Sequence, residues 1–562
     1  MSARELITEH LDLWTGAVTK KSSGGRGSNG KVELTGIKKL RELILGMAVQ
    51  GKLTTREASD EPASELLQRI SARQTELYTQ GKIKKRKKLL SVSVEERYFH
   101  LPENWEWTRL GALFDSIISG GTPSKQNPRF WDGDIPWASV KDLGKTKHLD
   151  ETQDYITEEG LKVGSKLADT GDVLICTRMG LGKVAICSKP IAINQDLKAV
   201  KVSPEVSLDY FFLAYTTLDI TGTGTTVAGI TQDKLISYVI GLPPIEEQHR
   251  IVQKVDELMA LCDRLEQQTS NQLEAHETLV DTLLGTLTQS ENATELADNW
   301  ARLAAHFDTL FTTEQSIDKL KQAILQLAVM GRLVEQDAED EPVGNLRQRI
   351  AMTKTQLIET GALRKQRPSP ALEQAKVPFT APGTWEWVTF GEITFNRDAE
   401  RIPLSMDDRR KRSGEFDYYG ASGVIDSIDD YLFDCPLLLI GEDGANLINR
   451  ATPIAFIARG KYWVNNHAHV IDGISEDFLR YLCLYINAIS LEPYVTGTAQ
   501  PKMNQAKMNS IPVPLPPENE QVRIVQKVDE LMALCDQLKE RLNQASETRN
   551  QLAEAVVEGA LN

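Results

Sequence analysis

Residues able to do acid–base, nucleophilic or metal chemistry are plentiful in this sequence, but few stand at spacings that such chemistry uses. His467-Ala468-His469 comes nearest to a metal-binding pattern. No acidic or cysteine partner stands at ligand spacing beside it, so no metal is expected. Gly180-Leu181-Gly182-Lys183-Val184 ends like a phosphate-binding loop. Such a loop needs a glycine where Thr177 stands and a Ser or Thr after the lysine, and it has neither. Cysteines 176, 187, 262, 435, 483 and 535 form no Cys-x-x-Cys pair, which indicates neither zinc nor a disulfide framework. Cys262 and Cys535 sit inside helical apolar patterns, as core thiols do. No cluster of two carboxylates and a lysine stands out as a nuclease centre. The chain is expected to carry no catalytic residues and no cofactor of its own.

The elements that would position any functional group are written twice. Arg250 to Asp263 recurs letter for letter as Arg523 to Asp536. Each copy follows a Pro-Pro pair (Pro243-Pro244, Pro516-Pro517) and a Glu-Gln pair (Glu247-Gln248, Glu520-Gln521). We call this block A. In block B, Ile37, Leu40, Ile44, Ala48 and Gly51 match Ile317, Leu320, Ile324, Ala328 and Gly331, while Asp60-Glu61-Pro62 matches Asp340-Glu341-Pro342. Trp105-Glu106-Trp107 likewise matches Trp385-Glu386-Trp387, and His10-Leu11-Asp12 resembles His306-Phe307-Asp308. The first copy carries an additional Gly/Ser-rich linker at 20–31. The order is B, T1, A, B, T2, A, where T1 and T2 are the intervening segments. A pseudo-two-fold molecule built this way must bring its two ends near each other.

Block A predicts a long helix, with Ile251, Val255, Leu258, Cys262 and Leu265 on one seam that resumes at Leu279 and Leu283. The second copy runs Ile524, Val528, Leu531, Cys535, Leu538 and resumes at Leu552 and Val556. Prolines mark both helix starts. Two such helices, each roughly 60 Å long at 1.5 Å per residue, would pack antiparallel as a spacer. His276 and Arg549 interrupt the seams, either fixing register or lying partly exposed. Block B helices end at Gly51 and Gly331, as helix C-caps do. Lys82-Ile83-Lys84-Lys85-Arg86-Lys87-Lys88 and, at the equivalent place, Arg364-Lys365-Gln366-Arg367 are either phosphate contacts or solvated linkers.

T1 and T2 diverge most between the halves. Short apolar runs bounded by Gly, Pro, Asn and Asp predict strands at 173–177, 183–187 and 191–202, and at 437–440, 453–458 and 462–471. Asn194-Gln195-Asp196 aligns with Asn465-Asn466-His467. The fold class is therefore mixed α+β. Two α/β-type domains are separated by a pair of long antiparallel coiled-coil helices in a duplicated arrangement. The expected divisions are 1–100 (block B), 101–242 (T1), 243–290 (block A), 291–379 (block B), 380–515 (T2) and 516–562 (block A).

Composition bounds the rest. The chain has 562 residues, 41% hydrophobic and 25% charged, ordinary values for a globular protein. No run approaches the about eighteen apolar residues of a membrane span. Glu5, Glu9 and Asp12 stand where a signal peptide would be apolar, and a cytoplasmic location is expected. The net charge of −15 gives no support by itself to nucleic-acid binding, which needs local positive charge.

Taken together, the whole chain resembles the specificity subunits of type I restriction-modification enzymes. The resemblance rests on both helix starts, Leu242-Pro243-Pro244 with Glu247-Gln248 and Leu515-Pro516-Pro517 with Glu520-Gln521. It also rests on Ser119-Gly120-Gly121-Thr122-Pro123-Ser124 with Asp134-Ile135-Pro136-Trp137. In T2 it rests on Tyr418-Tyr419-Gly420-Ala421-Ser422-Gly423 with Leu439-Ile440-Gly441-Glu442-Asp443-Gly444-Ala445-Asn446. The resemblance implies that T1 and T2 each read one half of a split, asymmetric double-stranded DNA target. It implies that two modification subunits methylate adenine N6 with S-adenosylmethionine, and that restriction subunits supply ATP- and Mg-dependent translocation and cleavage. The Asn/Asp-Pro-Pro-aromatic tetrad of such methyltransferases is missing from this chain. Met1 to Lys31 exceeds the minimal family plan.

Reading base edges takes donors and acceptors on loops. The candidates are Ser124, Lys125, Arg178, Lys183, Gln195, Gln232 and Lys234 in T1. In T2 they are Tyr419, Ser422, Asn446, Asn449, Arg450, Asn466, Lys502 and Lys507. Lys84, Lys85, Arg86, Lys87, Arg364 and Lys365 are the candidate phosphate contacts. Asn194 and Asn465 recur in both segments and are expected to be structural. A coiled-coil scaffold with two protein- or ligand-binding heads is the other reading these patterns allow.

Overall fold

The computed structural model describes residues 8–20, 32–83, 89–223, 228–290, 293–365, 372, 377–497 and 500–561. It divides into two compact units, Met1–Gln272 with Ala545–Asn562, and Leu273–Gln544. Six helices frame them: α1 (Thr35–Val49), α2 (Ala63–Thr79), α3 (Ile245–Gln289), α4 (Glu314–Val329), α5 (Val343–Glu359) and α6 (Glu518–Leu561). The block A repeats are thus single helices of 45 and 44 residues. Both begin just after the prolines, whose carbonyls at Pro244 and Pro517 accept the first helical bonds.

In the first unit, α1 packs against the start of α3 and the end of α6. Arg41 reaches Asp263 at 2.8 Å and Glu266 at 2.7 Å, while Thr54 reaches Glu247, so α1 runs antiparallel to α3. Thr35 bonds Asn550 at 2.7 Å and Lys52 bonds the Leu561 carbonyl at 3.2 Å, so α1 runs parallel to α6. The second unit repeats this on α4. Lys319 reaches Glu277 and Asp281 on α3, and Arg332 donates to the Ser290 carbonyl at 2.6 Å. Lys539 on α6 reaches Asp318 at 2.9 Å. Within each unit the two long helices therefore run antiparallel, with a block B helix packed on both.

The seams depart from the sequence expectation by one residue. Val280, Leu284, Ala553 and Val557 are buried, while Leu279 and Leu552 are half exposed. Thr269 to Val280 and Leu542 to Ala553 are steps of eleven residues. At 3.67 residues per turn such a step keeps the stripe on one face of a straight helix, where continued heptads would drift off it. His276 meets the Thr309 carbonyl at 3.1 Å, and Arg549 runs beside Gly16. Both interrupting residues thus face the short segments Phe307–Leu310 and Leu11–Gly16. In the N-terminal extension, Trp14 is fully buried and the Ala17 carbonyl accepts from Gly36 at 2.9 Å.

Repeated letters outside the helices are junctions. Trp105 Nε1 donates to Glu247 at 3.0 Å, and Trp385 Nε1 to Glu520 at 2.9 Å. Arg250 clamps Asp60 with bonds of 3.1 and 2.5 Å, and Arg523 clamps Asp340 at 3.2 and 2.6 Å. The helices end where expected, with Gly51 at φ +70° and Gly331 at φ +68°.

Each T segment opens and closes on one antiparallel strand pair, Glu106–Arg109 with Val239–Leu242 and Glu386–Thr389 with Pro512–Leu515. Between them stand two sheets on a shared plan. One sheet runs Phe114–Ser119, Leu197–Val202, Val173–Cys176, Val184–Cys187 in T1, with His148–Leu149 added at its edge. In T2 it runs Phe395–Asn396, Ala468–Asp472, Leu437–Gly441, Ala455–Ala458. The other runs Asp154–Ile156, Trp131–Ala138, Ile191–Ile193, Lys166–Ala168 in T1. Its T2 counterpart is Gly423–Ile428, Ser413–Gly420, Lys461–Val464, Phe433–Asp434. The pairing senses agree throughout, including the parallel pair in the second sheet.

Candidate nucleic-acid interface

The runs 191–202 and 462–471, read as single strands from the sequence, are each two strands in two different sheets. The break is the asparagine turn. Asn194 Oδ1 accepts from the Asp196 amide at 3.0 Å, and Asn465 Oδ1 from the His467 amide at 2.8 Å. The short side chain closes a local ring that stops the ladder and turns the chain. This accounts for an asparagine in both copies and leaves Gln195 and Asn466 exposed at the turn.

Three further segments gather around each turn by matching backbone bonds. In T1, Thr177 N donates to the Asp196 carbonyl at 2.8 Å and Ile230 N to the Thr177 carbonyl at 2.9 Å. Asn194 N donates to the Ala138 carbonyl at 3.0 Å, and Thr122 Oγ1 also bonds Gln195. In T2, Glu442 N donates to the His467 carbonyl at 2.8 Å and Met503 N to the Glu442 carbonyl at 2.8 Å. Asn465 N donates to the Tyr419 carbonyl at 3.1 Å. The frame is the same, but Arg178 in T1 stands where Asp443 stands in T2, as the paired bridges to Gly229 and Lys502 show. Arg178 leans 3.6 Å from Asp196, whereas Asp443 holds His467 at 2.8 Å.

Of the T1 candidates, the structure brings Arg178 and Gln195 together, with Gln232 opening the adjacent helix Gln232–Ser237. Lys183 lies across its turn, 3.4 Å from the Val140 carbonyl, and Lys234 sits over the Tyr238 ring. Ser124 and Lys125 are exposed on a separate turn, where the Ser124 carbonyl accepts from Trp131. In T2, Asn466 and Lys502 share the convergence, with Ser422 exposed on the adjoining hairpin. Asn449 and Lys507 are exposed further out.

Three T2 candidates face inward. Tyr419 packs on Phe456 and Tyr462 with ring centroids 5.7 and 5.5 Å apart. Asn446 closes its own loop on Thr452 at 3.0 and 3.1 Å. Arg450, at φ +50°, donates to the Ile486 and Ile489 carbonyls at 3.3 and 2.7 Å, and burial lowers its pKa. Arg364 and Lys365 are exposed, while Lys84, Lys85, Arg86 and Lys87 lie outside the described residues. Sequence reading missed Asp443 and Met179; the latter is 70% exposed at φ +60°, a conformation that single-residue patterns do not announce.

Among the described residues, no three His, Cys, Asp or Glu side chains form a metal-holding group, and His467 and His469 contact different carboxylates. No described helix is long and apolar enough to cross a membrane. Paired recognition-type domains carried on a duplicated helical frame define a two-headed specificity module. The family described as the type I restriction modification DNA specificity domain matches residues 102–275 and 382–547, each match covering one head and part of the long helix after it. The chain is 37% identical to the type I restriction enzyme EcoEI specificity subunit of Escherichia coli, over all of both chains. It is 35% identical to the EcoAI specificity subunit of Escherichia coli, again over all of both. A crystal structure of the HsdS subunit from Thermoanaerobacter tengcongensis aligns at a TM-score of 0.41 and 16% identity, covering 83% of this chain and 98% of that one. The chain belongs to the type I restriction enzyme specificity subunits.

Proposed function

We propose that this chain reads a bipartite, asymmetric DNA sequence, with T1 and T2 each reading one half-site. The carrying observation is the pair of loop convergences. The asparagine turn and its backbone bonds are common to both heads, while the residues displayed differ, Arg178 and Gln195 against Asp443 and Asn466. One frame with two sets of donors and acceptors suits two different base sequences. The duplicated helices seat two modification subunits in equivalent positions, and restriction subunits join that assembly in the cytoplasm. The chemistry belongs to these partners, which use S-adenosylmethionine for adenine methylation and ATP with Mg for translocation and cleavage. Arg364, Lys365 and the basic run near Lys84 follow the phosphate backbone. The test is to replace residues 106–242 with those of another family member and to sequence the methylome of cells carrying the modification subunits. One half of the methylated sequence changes and the other stays. A change in both halves, or in neither, overturns the assignment.

A further inference from the structure

Behind the T2 convergence lies a buried charged cluster with no counterpart among the described residues of T1. His469 is 1% exposed and is held from both sides. Its Nδ1 is 2.6 Å from Asp398 Oδ2 and its Nε2 is 2.9 Å from the Met503 carbonyl. Asp398 also accepts from the Val470 amide at 2.8 Å and Asn396 Nδ2 at 3.0 Å, the environment of an ionised carboxylate. A carboxylate and a carbonyl have no proton to offer, so both ring nitrogens must donate and the ring is an imidazolium. Glu442 stands 3.9 Å from the ring, balanced by Arg401 at 2.9 Å and Lys502 at 3.1 Å. His467 and Asp443 pair at the mouth. Burial pulls His469 toward neutrality, but the Asp398 bond and charge, the Glu442 charge and the Met503 carbonyl outweigh it and leave its pKa raised.

This cluster ties together the turn at Asp398, the loop at Glu442, the strand after His467 and the segment at Lys502. In T1 the strand ladders place Lys198 where His469 stands, and Lys198 bonds Ser119 on its neighbouring strand at 2.6 Å. We propose that His469 is a positioning residue whose charged ring locks the reading loops of the second head, making recognition of one half-site, and not the other, sensitive to pH. This rests on the two-headed reading above. A raised pKa puts the lock fully in place below the ordinary histidine range and removes it as pH climbs through the folded value.

The test uses the full chain with its modification subunits, a duplex carrying the methylome-derived site, and duplexes with one base changed in either half. From pH 6.5 to 9.5, discrimination against changes in the T2 half falls tenfold or more while the T1 half holds. Asp398→Asn, which keeps the shape and removes the charge, shows that loss already at pH 7. Nitrogen-15 histidine spectra of the free chain, assigned with His469→Gln, show one doubly protonated ring at pH 7. A neutral ring at pH 7, or equal pH responses in both halves, overturns the proposal. Absence of any bipartite methylated site overturns the reading beneath it instead, and the ring's protonation is still decided by the spectra.

Discussion

Removing Arg250 measures what joins block A to block B. The Asp60 side chain is 2% exposed and accepts two bonds from an arginine that is 27% exposed. Arg250→Met keeps the stem and strands a buried carboxylate. Breaking a fully buried pair costs about 3–5 kcal/mol. Partial exposure of the guanidinium puts this pair lower, at about 2–3 kcal/mol, or roughly 30- to 150-fold in a local opening equilibrium. Hydrogen exchange read by mass spectrometry then shows faster exchange in peptides around residues 60–70 and 247–258. The twin contact, Arg523 with Asp340, serves as an internal reference in the same sample. Asp60→Asn combined with Arg250→Met recovers part of the loss, because no stranded charge remains. The Arg250 bond holds the Asp60 pKa below the usual carboxylate range, so the wild-type contribution is present at neutral pH and is lost as pH falls through that lowered value. An exchange change below about threefold, or strict additivity of the two substitutions, would refute the reasoning.

Other outcomes follow from the same structure. Gly51→Ala and Gly331→Ala each lower the melting temperature sharply, since a Cβ would stand 2.5 Å from a proline Cγ, at Pro102 or Pro382, on a positive-φ residue. Gly361→Ala, at φ +75° with nothing within 4 Å, carries only the backbone cost of about 1–2 kcal/mol. Cys187 and Cys483, whose thiols burial pushes up to about 12, remain unmodified by iodoacetamide at pH 8 in the folded chain, as peptide mass mapping will report. A circular permutant opened between Ser290 and Ala293, its old ends joined by a flexible Gly/Ser linker, folds and assembles with modification subunits, as size-exclusion chromatography of the complex will report.

The duplicated plan was legible because repeated letters mark repeated junctions: Trp105 and Glu247, or Asp60 and Arg250, are far apart in sequence and recur as sets. The seam's one-residue shift was not legible, because the heptad pattern holds for about five turns, from Ile251 to Thr269, and the eleven-residue step enters only beyond it. The asparagine turns were visible as letters, but not as sheet crossings, since apolar runs continue on both sides. Arg450 and Tyr419 looked like readers by type and loop position. Only the Ile486 and Ile489 carbonyls and the Phe456 ring reveal which way those side chains turn. His469 gave no sign of its ion pair, because Asp398 lies 71 residues away.

The strand pair at the base of each head has a consequence for inheritance. Because Glu106–Arg109 lies against Val239–Leu242, a head leaves and rejoins the frame at one place, so its coding segment can be exchanged whole without disturbing what lies outside it. The fourteen residues from Arg250 recur unchanged from Arg523, so each head hands the chain back to the same helix start. A lineage carrying such a gene changes half of its DNA address in a single genetic event, while its partner subunits inherit an unaltered seat.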